Sequence, residues 1–298
     1  MIHREVDETE ADPVLGRREC PFDLEQPLTA LYAERIAVTG ASGGLGRALV
    51  RTFAAAGIEV CATDVDTVDV TAAVDVARLR DATLIFHLAA AKDACEGEAR
   101  TEFALRTNAV GTANVVALGV RTVFASTCKA ASPETVYGAS KLIGERLTLN
   151  AGGSVARLFN VHDSPRNVFE SWAALPPGEP LPVTDCTRFF ISSREAVALL
   201  LWTAVLPRGR YALGDAVART MRAVAAALYP GRPIRTIPRR RGDRAQEPFC
   251  APYESVETEI VRGIVRIASA HDGAAAYLER GSSTDAYAVM APRRITSR

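Results

Sequence analysis

The amino-acid sequence predicts an α/β protein: a doubly wound parallel sheet with a smaller, mixed C-terminal lobe. Three observations carry this. Apolar runs short enough for buried strands alternate with segments of helical periodicity over residues 35–160. The first of these strands runs straight into a glycine-rich turn that opens a helix. Beyond Asn160 the texture changes, with Pro165, Pro176, Pro177, Pro180 and Pro182 breaking the pattern.

Residues 35–39 form an apolar run fit for a buried parallel strand, and 47–56 have helical periodicity after the glycine turn. Residues 58–63 read as the second strand. The alternation continues with "ATLIFHLAA" as strand, "ARTEFALRTNAVGTANVVALG" as helix, "RTVFAST" as strand, "TVYGASKLIGERLTLN" as helix and "GSVARLFNV" as strand. Further on, "SSREAVALLLWTAV" is a helix, "GRYALGD" a short strand returning to the sheet, and "RTMRAVAAALY" another helix. "SVETEIVRGIVRIASA" reads as a last helix. The expected organisation is an N-terminal extension over 1–34 and a dinucleotide-binding domain over 35–160, with a returning segment near 189–214. A substrate-binding lobe over 161–188 and 215–282 and a flexible tail over 283–298 complete it.

With 298 residues, 48% hydrophobic and 23% charged, the chain is able to bury a full core. Lys plus Arg and Asp plus Glu number 35 each, so no global positive field recruits nucleic acid or anionic lipid. An acidic ligand therefore needs a local site. Six cysteines without a C-x-x-C pair read as reduced thiols of a cytoplasmic protein, and the four histidines show no metal-ligand spacing. The acidic N-terminus lacks the apolar core of a signal peptide, and no apolar run reaches the ~18 residues that a membrane span needs. A cytoplasmic protein that engages neither membrane, nucleic acid nor metal is expected.

Gly40, Gly43 and Gly46 fit G-x-x-G-x-x-G between a strand and a helix, with Ser42, Gly44 and Leu45 completing the turn. Such glycines permit a tight turn and let main-chain amides approach a pyrophosphate at the helix N-terminus. Asp64 ends the second strand, where an acidic residue meets the ribose hydroxyls of an adenosine. A carboxylate there repels a 2′-phosphate, so NAD rather than NADP is the expected cofactor. Asp75 and Val76 stand either against the adenine or in a solvated loop.

The stretch "FASTCKAASPETVYGASK" holds the candidate chemistry. Tyr137 and Lys141 lie at i, i+4 on one helix face. A phenol with an ordinary pKa of ~10 is a poor base at neutral pH, and a neighbouring ammonium favours the phenolate. Thr127, just after a strand, is placed to hydrogen-bond the same substrate hydroxyl. Together the three are suited to draw a proton from an alcohol while its carbon gives hydride to a nicotinamide.

These motifs resemble the short-chain dehydrogenase/reductase superfamily in its extended, nucleotide-sugar-modifying branch, which implies a Rossmann-type fold. "LIFHLAA" and "NAVGTANVV" resemble that branch's strand and following helix, implying cofactor contacts from Leu88, Ala89, Ala90 and Asn108. The similarity narrows to the bacterial capsule and O-antigen proteins typified by UDP-N-acetylglucosamine 4,6-dehydratases. "DPVLGRRECPFDLEQ" resembles their D-L-L-G-R lead-in, "AAAKD" their A-A-x-K-H, and "STCKAASPETVYGASK" their S-T-D-K-A-x-x-P-x-x-x-Y/M-G-x-[ST]-K. "VTDCTRFFISSREAVALLL" resembles their V-T-x-P-x-M-T-R-F-F segment in shortened form, and "RRRGDRAQE" their R-P-G-E-K-x-x-E. The resemblance runs from about Asp12 to Ala268.

In that family the Tyr and Lys help to oxidise C4 of the sugar. The lysine of the D-K pair is the base at C5, and its aspartic acid protonates the departing C6 hydroxyl. Lys129 matches the base, whereas Cys128 stands in place of the acid. The S-T-C sequence also resembles the 5,6-dehydratase of tunicamycin biosynthesis. A thiol with an ordinary pKa of ~8.5 holds its proton at neutral pH, so Cys128 is compatible with elimination. The resemblance further implies a nucleotide-sugar substrate gripped by Lys92, Asn160, Arg188, Arg241, Arg244 and Glu247. Arg239 and Arg240 read as a solvated surface run, and a homo-oligomer is expected. The activity so implied is an NAD-dependent nucleotide-sugar dehydratase acting on a UDP-N-acetylhexosamine-like substrate. A C4 epimerase or oxidoreductase, and a non-catalytic dinucleotide-binding protein, stay open.

Overall fold

The computed structural model describes residues 11–165, 167–261 and 263–272. The expected flexible tail over 283–298 lies outside the described residues. The first half of the chain supplies the strands β1 (Ile36–Thr39), β2 (Val60–Thr63), β3 (Leu84–His87), β4 (Arg121–Thr127) and β5 (Ser154–Leu158). β1 and β3 are buried throughout, as strands covered on both faces require. The second half supplies β6 (Asn160–Val161), β7 (Leu181–Thr184), β8 (Thr187–Ile191), β9 (Arg210–Leu213), β10 (Ala218–Thr220), β11 (Ile234–Ile237), β12 (Glu254–Val261) and β13 (Ile264–Ser269).

The main sheet has the order β12-β13-β9-β5-β4-β3-β1-β2 and is parallel from β9 to β2. The chain leaves β1 to one side for β2 and crosses to the other for β3. The topological switch point, with a crevice beyond the carboxyl ends of the strands, therefore lies between β1 and β3. Helix Gly44–Ala55 buries Leu49 and Phe53 on the sheet, Phe53 lying 5.6 Å from the ring of Phe86. Helix Ser193–Val205 is apolar nearly all round and correspondingly buried, and a capping box of Ser192 and Glu195 starts it.

Outside this sheet, β6, β8 and β10 form a small sheet and β7 pairs with β11. They cover a second apolar cluster that includes Trp172, Leu181, Val183 and Val224. Residues 11–34, expected as an extension, are built into the fold. Val14 and Leu15 join the second cluster, Leu31 joins the main core, and Arg17 Nη1 lies 2.6 Å from the buried Glu195.

One expectation is overturned. The segment "SVETEIVRGIVRIASA" is not a helix but the antiparallel hairpin β12–β13, which extends the main sheet through β9 instead of belonging to the second lobe. Its β-branched residues suit strands, Ile264 and Ile267 are buried, and Gly263 takes φ +77° in the turn. Charge fastens it. Glu254 of β12 accepts from the buried Arg157 of β5 at 2.7 and 2.9 Å, and Glu145 accepts from both Arg157 and Arg210 of β9. Among the described residues no helix is long and apolar enough to cross a membrane, and no His, Cys, Asp or Glu cluster could hold a metal ion.

Candidate functional site

The glycine turn sits at the switch point. Gly40 takes φ +70°, and a Cβ built on it would come 2.6 Å from the Ala89 nitrogen; one on Gly46 would come 2.2 Å from the Gly40 carbonyl. Gly43 precedes the first turn of helix Gly44–Ala55, and the loop residues Ser164 and Pro165 approach Gly44. This bare main-chain cradle at a helix N-terminus fits a dinucleotide's diphosphate. The Ser42 amide donates to Asp64 at 3.0 Å, the Ser42 hydroxyl donates to the same carboxylate, and Arg47 donates to the Ser42 carbonyl. Burial opposes ionisation of Asp64, but the hydrogen bonds from Ser42 and Val65 outweigh it and hold the carboxyl below its ordinary range.

Two further cofactor candidates divide. The Val76 side chain is buried in an apolar cluster with Ile85 and Val115, and Asp75, on the short helix Ala73–Val76, pairs at 3.3 Å with Arg78 of the turn that follows. Leu88, Ala89 and Ala90 follow β3, with the Leu88 and Ala89 amides anchored on Thr39. Asn108 lies in a π-helical turn, Arg106–Val110. Its buried amide accepts from the Ala91 nitrogen at 2.8 Å and donates to the Ala91 carbonyl at 3.0 Å and to Ser140 at 2.9 Å. It thus ties the loop after β3 to the helix that carries Tyr137. A π turn widens the helix where a side chain must reach a neighbour, and such turns cluster at functional sites.

Thr127 ends β4, and helix Val136–Asn150 brings Tyr137 and Lys141 over it. Gly138 lets this helix approach: a Cβ there would come 2.4 Å from the Lys129 carbonyl. Thr127, at the end of β4, acts to lower the Tyr137 phenol. Burial raises the Tyr137 phenol, with Lys129 as the main cation pulling the other way. Lys141 is 2% exposed, packs its ammonium 4.1 Å from the Phe124 ring centroid, and is pushed down to about 7 by burial. The ammonium expected from Lys141 beside the phenol is supplied instead by Lys129, while Lys141 lies against Phe124.

The Cys128–Ala130 turn after β4 meets a carboxylate that the sequence reading treated only as a substrate contact. Glu247, its side chain fully buried, lies 2.8 Å from Lys129 Nζ and 3.1 Å from Arg188 Nε, and accepts from Asn160 at 2.8 Å. The Cys128 thiol donates to it at 3.3 Å. Burial, then Glu247, pushes the Cys128 thiol up to about 12; burial alone would lower Lys129, but Glu247 reverses this and raises it. Both groups hold protons at rest. Lys129 also donates to Asn160 at 3.0 Å.

Of the other substrate candidates, Lys92 and Arg241 are exposed. Arg244 is engaged by the Ser132 carbonyl at 2.8 Å and by Glu134 at 2.7 Å. Sequence reasoning passed over Gly138, Ser140, Glu145 and Arg47. Glu145 carried a usable signal, standing one helical turn after Lys141.

A family model described as "Polysaccharide biosynthesis protein" matches residues 60–269. The UDP-N-acetylglucosamine 4,6-dehydratase (inverting) of Campylobacter jejuni is 33% identical over 141 residues, which are 41% of this chain and 42% of that protein. The matches span less than half the length of the curated relatives. Among solved structures, the UDP-glucose 4-epimerase of Thermus thermophilus, in complex with NAD, gives a TM-score of 0.64 at 22% identity over 72% of this chain and 89% of that one. The NAD-dependent NDP-hexosamine 5,6-dehydratase TunA of tunicamycin biosynthesis gives 0.62 at 23% identity, over 73% and 88%. These likenesses establish a Rossmann-type fold.

Proposed function

The chain belongs to the polysaccharide biosynthesis protein family, and from that premise we propose that it is an NAD-dependent nucleotide-sugar dehydratase acting on a UDP-N-acetylhexosamine-like substrate. One observation carries the reading: Thr127, Tyr137 and Lys141 share the carboxyl end of β4 with the buried Cys128 and the half-buried Lys129. Oxidation alone needs only the first three. The glycine turn would hold the dinucleotide diphosphate and Asp64 its ribose, while Leu88, Ala89 and Ala90 line the crevice that Asn108 keeps in shape. NAD, when bound, supplies a hydride acceptor for C4 of the sugar and later returns the hydride.

Tyr137, its phenolate favoured by Thr127 and Lys129, takes the C4 hydroxyl proton. The ketone so formed acidifies H5, which Lys129 removes, and Cys128 protonates the leaving C6 oxygen. Arg188, Arg241, Arg244, Lys92 and Asn160 are assigned to the nucleotide diphosphate and sugar, Arg244 by exchanging the exposed Glu134 for phosphate. A second reading, C4 epimerase or oxidoreductase, draws on the complete burial of Cys128, a place where a small residue also serves as packing. The variant Lys129→Ala separates the two. Under the dehydratase reading it accumulates enzyme-bound NADH, seen as near-ultraviolet absorbance on adding a UDP-N-acetylhexosamine, without loss of water. Under the epimerase reading the unaltered protein inverts C4 without loss of water, and Lys129→Ala builds up no enzyme-bound NADH.

A further inference from the structure

Glu247 stands in a segment between β11 and β12, and that segment is fastened to the catalytic turn from several sides. The Ala245 carbonyl accepts from the Thr187 amide at 2.8 Å, and Arg244 donates to the Ser132 carbonyl at 2.8 Å. The carboxylate itself faces Lys129, Arg188, Cys128 and Asn160, with Tyr137 beyond Lys129. Burying a carboxylate this completely is costly unless it is paired, and here two cations and two further donors pair it. Such an arrangement fixes charge states. A lysine must be neutral to accept a carbon-bound proton, yet Lys129 is paired as an ammonium with a carboxylate 2.8 Å away. Its proton needs somewhere to go before it serves as a base.

Resting on the dehydratase reading, we infer that Glu247 is a positioning residue that stores the proton of Lys129 during elimination and returns it through Cys128. The cycle balances. Lys129 first passes one proton to Glu247 along the 2.8 Å contact, leaving a neutral amine and a neutral carboxyl. The amine then takes H5, and the electron pair left at C5 forms the C5–C6 double bond as the C6–O bond breaks. Cys128 gives its proton to the departing oxygen, which leaves as water, and becomes a thiolate. The proton sits on Oε1, which faces Lys129, whereas Oε2 faces Cys128; the carboxyl turns to bring its hydroxyl to the sulfur and reprotonates the thiolate. Lys129 ends as the ammonium it was, Cys128 as the thiol and Glu247 as the carboxylate, with no net proton drawn from solvent. The same arrangement explains how a thiol raised to about 12 by burial serves as an acid: its conjugate base is relieved at once by a neighbouring carboxyl.

The chain has lysine at only three positions, Lys92, Lys129 and Lys141, so side-chain nitrogen resonances of the 15N-lysine protein resolve Lys129 directly, with Lys129→Arg as the assignment control. In the unaltered protein Lys129 is expected to stay charged through the neutral and mildly alkaline range. In Glu247→Gln, which keeps shape but not charge, burial is unopposed by the carboxylate, and the Lys129 titration should move down by at least ~1 pH unit. Glu247→Asp should keep it charged. The second readout is exchange of the substrate's H5 with deuterated solvent. It should be flat with pH in the unaltered protein and in Glu247→Asp, and should rise about tenfold per pH unit below the Lys129 pKa in Glu247→Gln. If the Lys129 titration does not move in Glu247→Gln while the unaltered protein still exchanges H5, the relay is wrong and the dehydratase reading survives. If the titration moves but the unaltered protein exchanges H5 of no nucleotide sugar, elimination itself is wrong and the relay falls with it.

Discussion

Lys141 enters the fold under opposing forces, since burial lowers its ammonium to about 7 while Glu145 acts to raise it. Folding lowers this pKa, so the unfolded chain binds the extra proton between about pH 7 and the ordinary ~10.5. Stability therefore rises with pH across that window, and below it the full penalty applies. Lys141→Met is expected to stabilise the protein by on the order of 3 kcal/mol near pH 6, a gain that shrinks toward pH 10. Urea unfolding at the two pH values checks this; an equal effect at both contradicts it. A cost of this kind fits the catalytic role proposed for Lys141. Tyr137→Phe should lower C4 oxidation by at least ~10²-fold with nucleotide binding kept, because only the ionisable oxygen is lost. Turnover at the normal rate would make Tyr137 a packing residue. Asp64→Ala should narrow a preference for NAD over NADP, and equal affinities in the unaltered protein would remove the basis for that preference. That Thr127, Tyr137 and Lys141 gather around β4 was legible because their spacing is local. The meeting of Glu247 with Cys128 was not, for the two stand 119 positions apart and no period connects them.

At the scale of elements, helix Val136–Asn150 and the Cys128–Ala130 turn form one unit through Gly138. Gly138→Ala would place a methyl 2.4 Å from the Lys129 carbonyl, so the helix must shift and carry Tyr137 with it. Activity is expected to fall by about 10²-fold, the cost of a misplacement near 1 Å, while the unfolding midpoint changes modestly. Normal activity would show that the turn gives way instead. The hairpin β12–β13 was misread because "SVETEIVRGIVRIASA" carries apolar residues at helical as well as strand spacing. What decides is tertiary. Glu254 must meet the buried Arg157 and Arg210, which only an extended β12 beside β13 and β9 allows. Glu254→Gln should therefore destabilise the protein by ~3–5 kcal/mol, and a loss below ~1 kcal/mol would mean that the apolar face alone holds the hairpin.

Taken as a whole, the molecule follows from alternation. Buried strands and amphipathic helices of this length close only as a parallel sheet with covered faces, and the glycine turn after β1 falls at the switch point that such a sheet creates. That much was readable from residue types. The packing of residues 11–34 on both apolar clusters was not, because the signal, such as Val14 and Leu15 in a polar run, is too short to stand out from a solvated segment. Where β4 ends, Lys129 meets Glu247 of the segment between β11 and β12. This placement makes elimination, rather than oxidation alone, the central claim. The most direct test is to incubate the protein and NAD with a panel of UDP-N-acetylhexosamines and related nucleotide sugars, and to follow the sugars by mass spectrometry. Loss of one water from a nucleotide sugar, abolished in Tyr137→Phe and in Lys129→Ala, is the predicted result. A product of unchanged mass with inverted C4 couplings by NMR, and no loss of water from any nucleotide sugar, would contradict it.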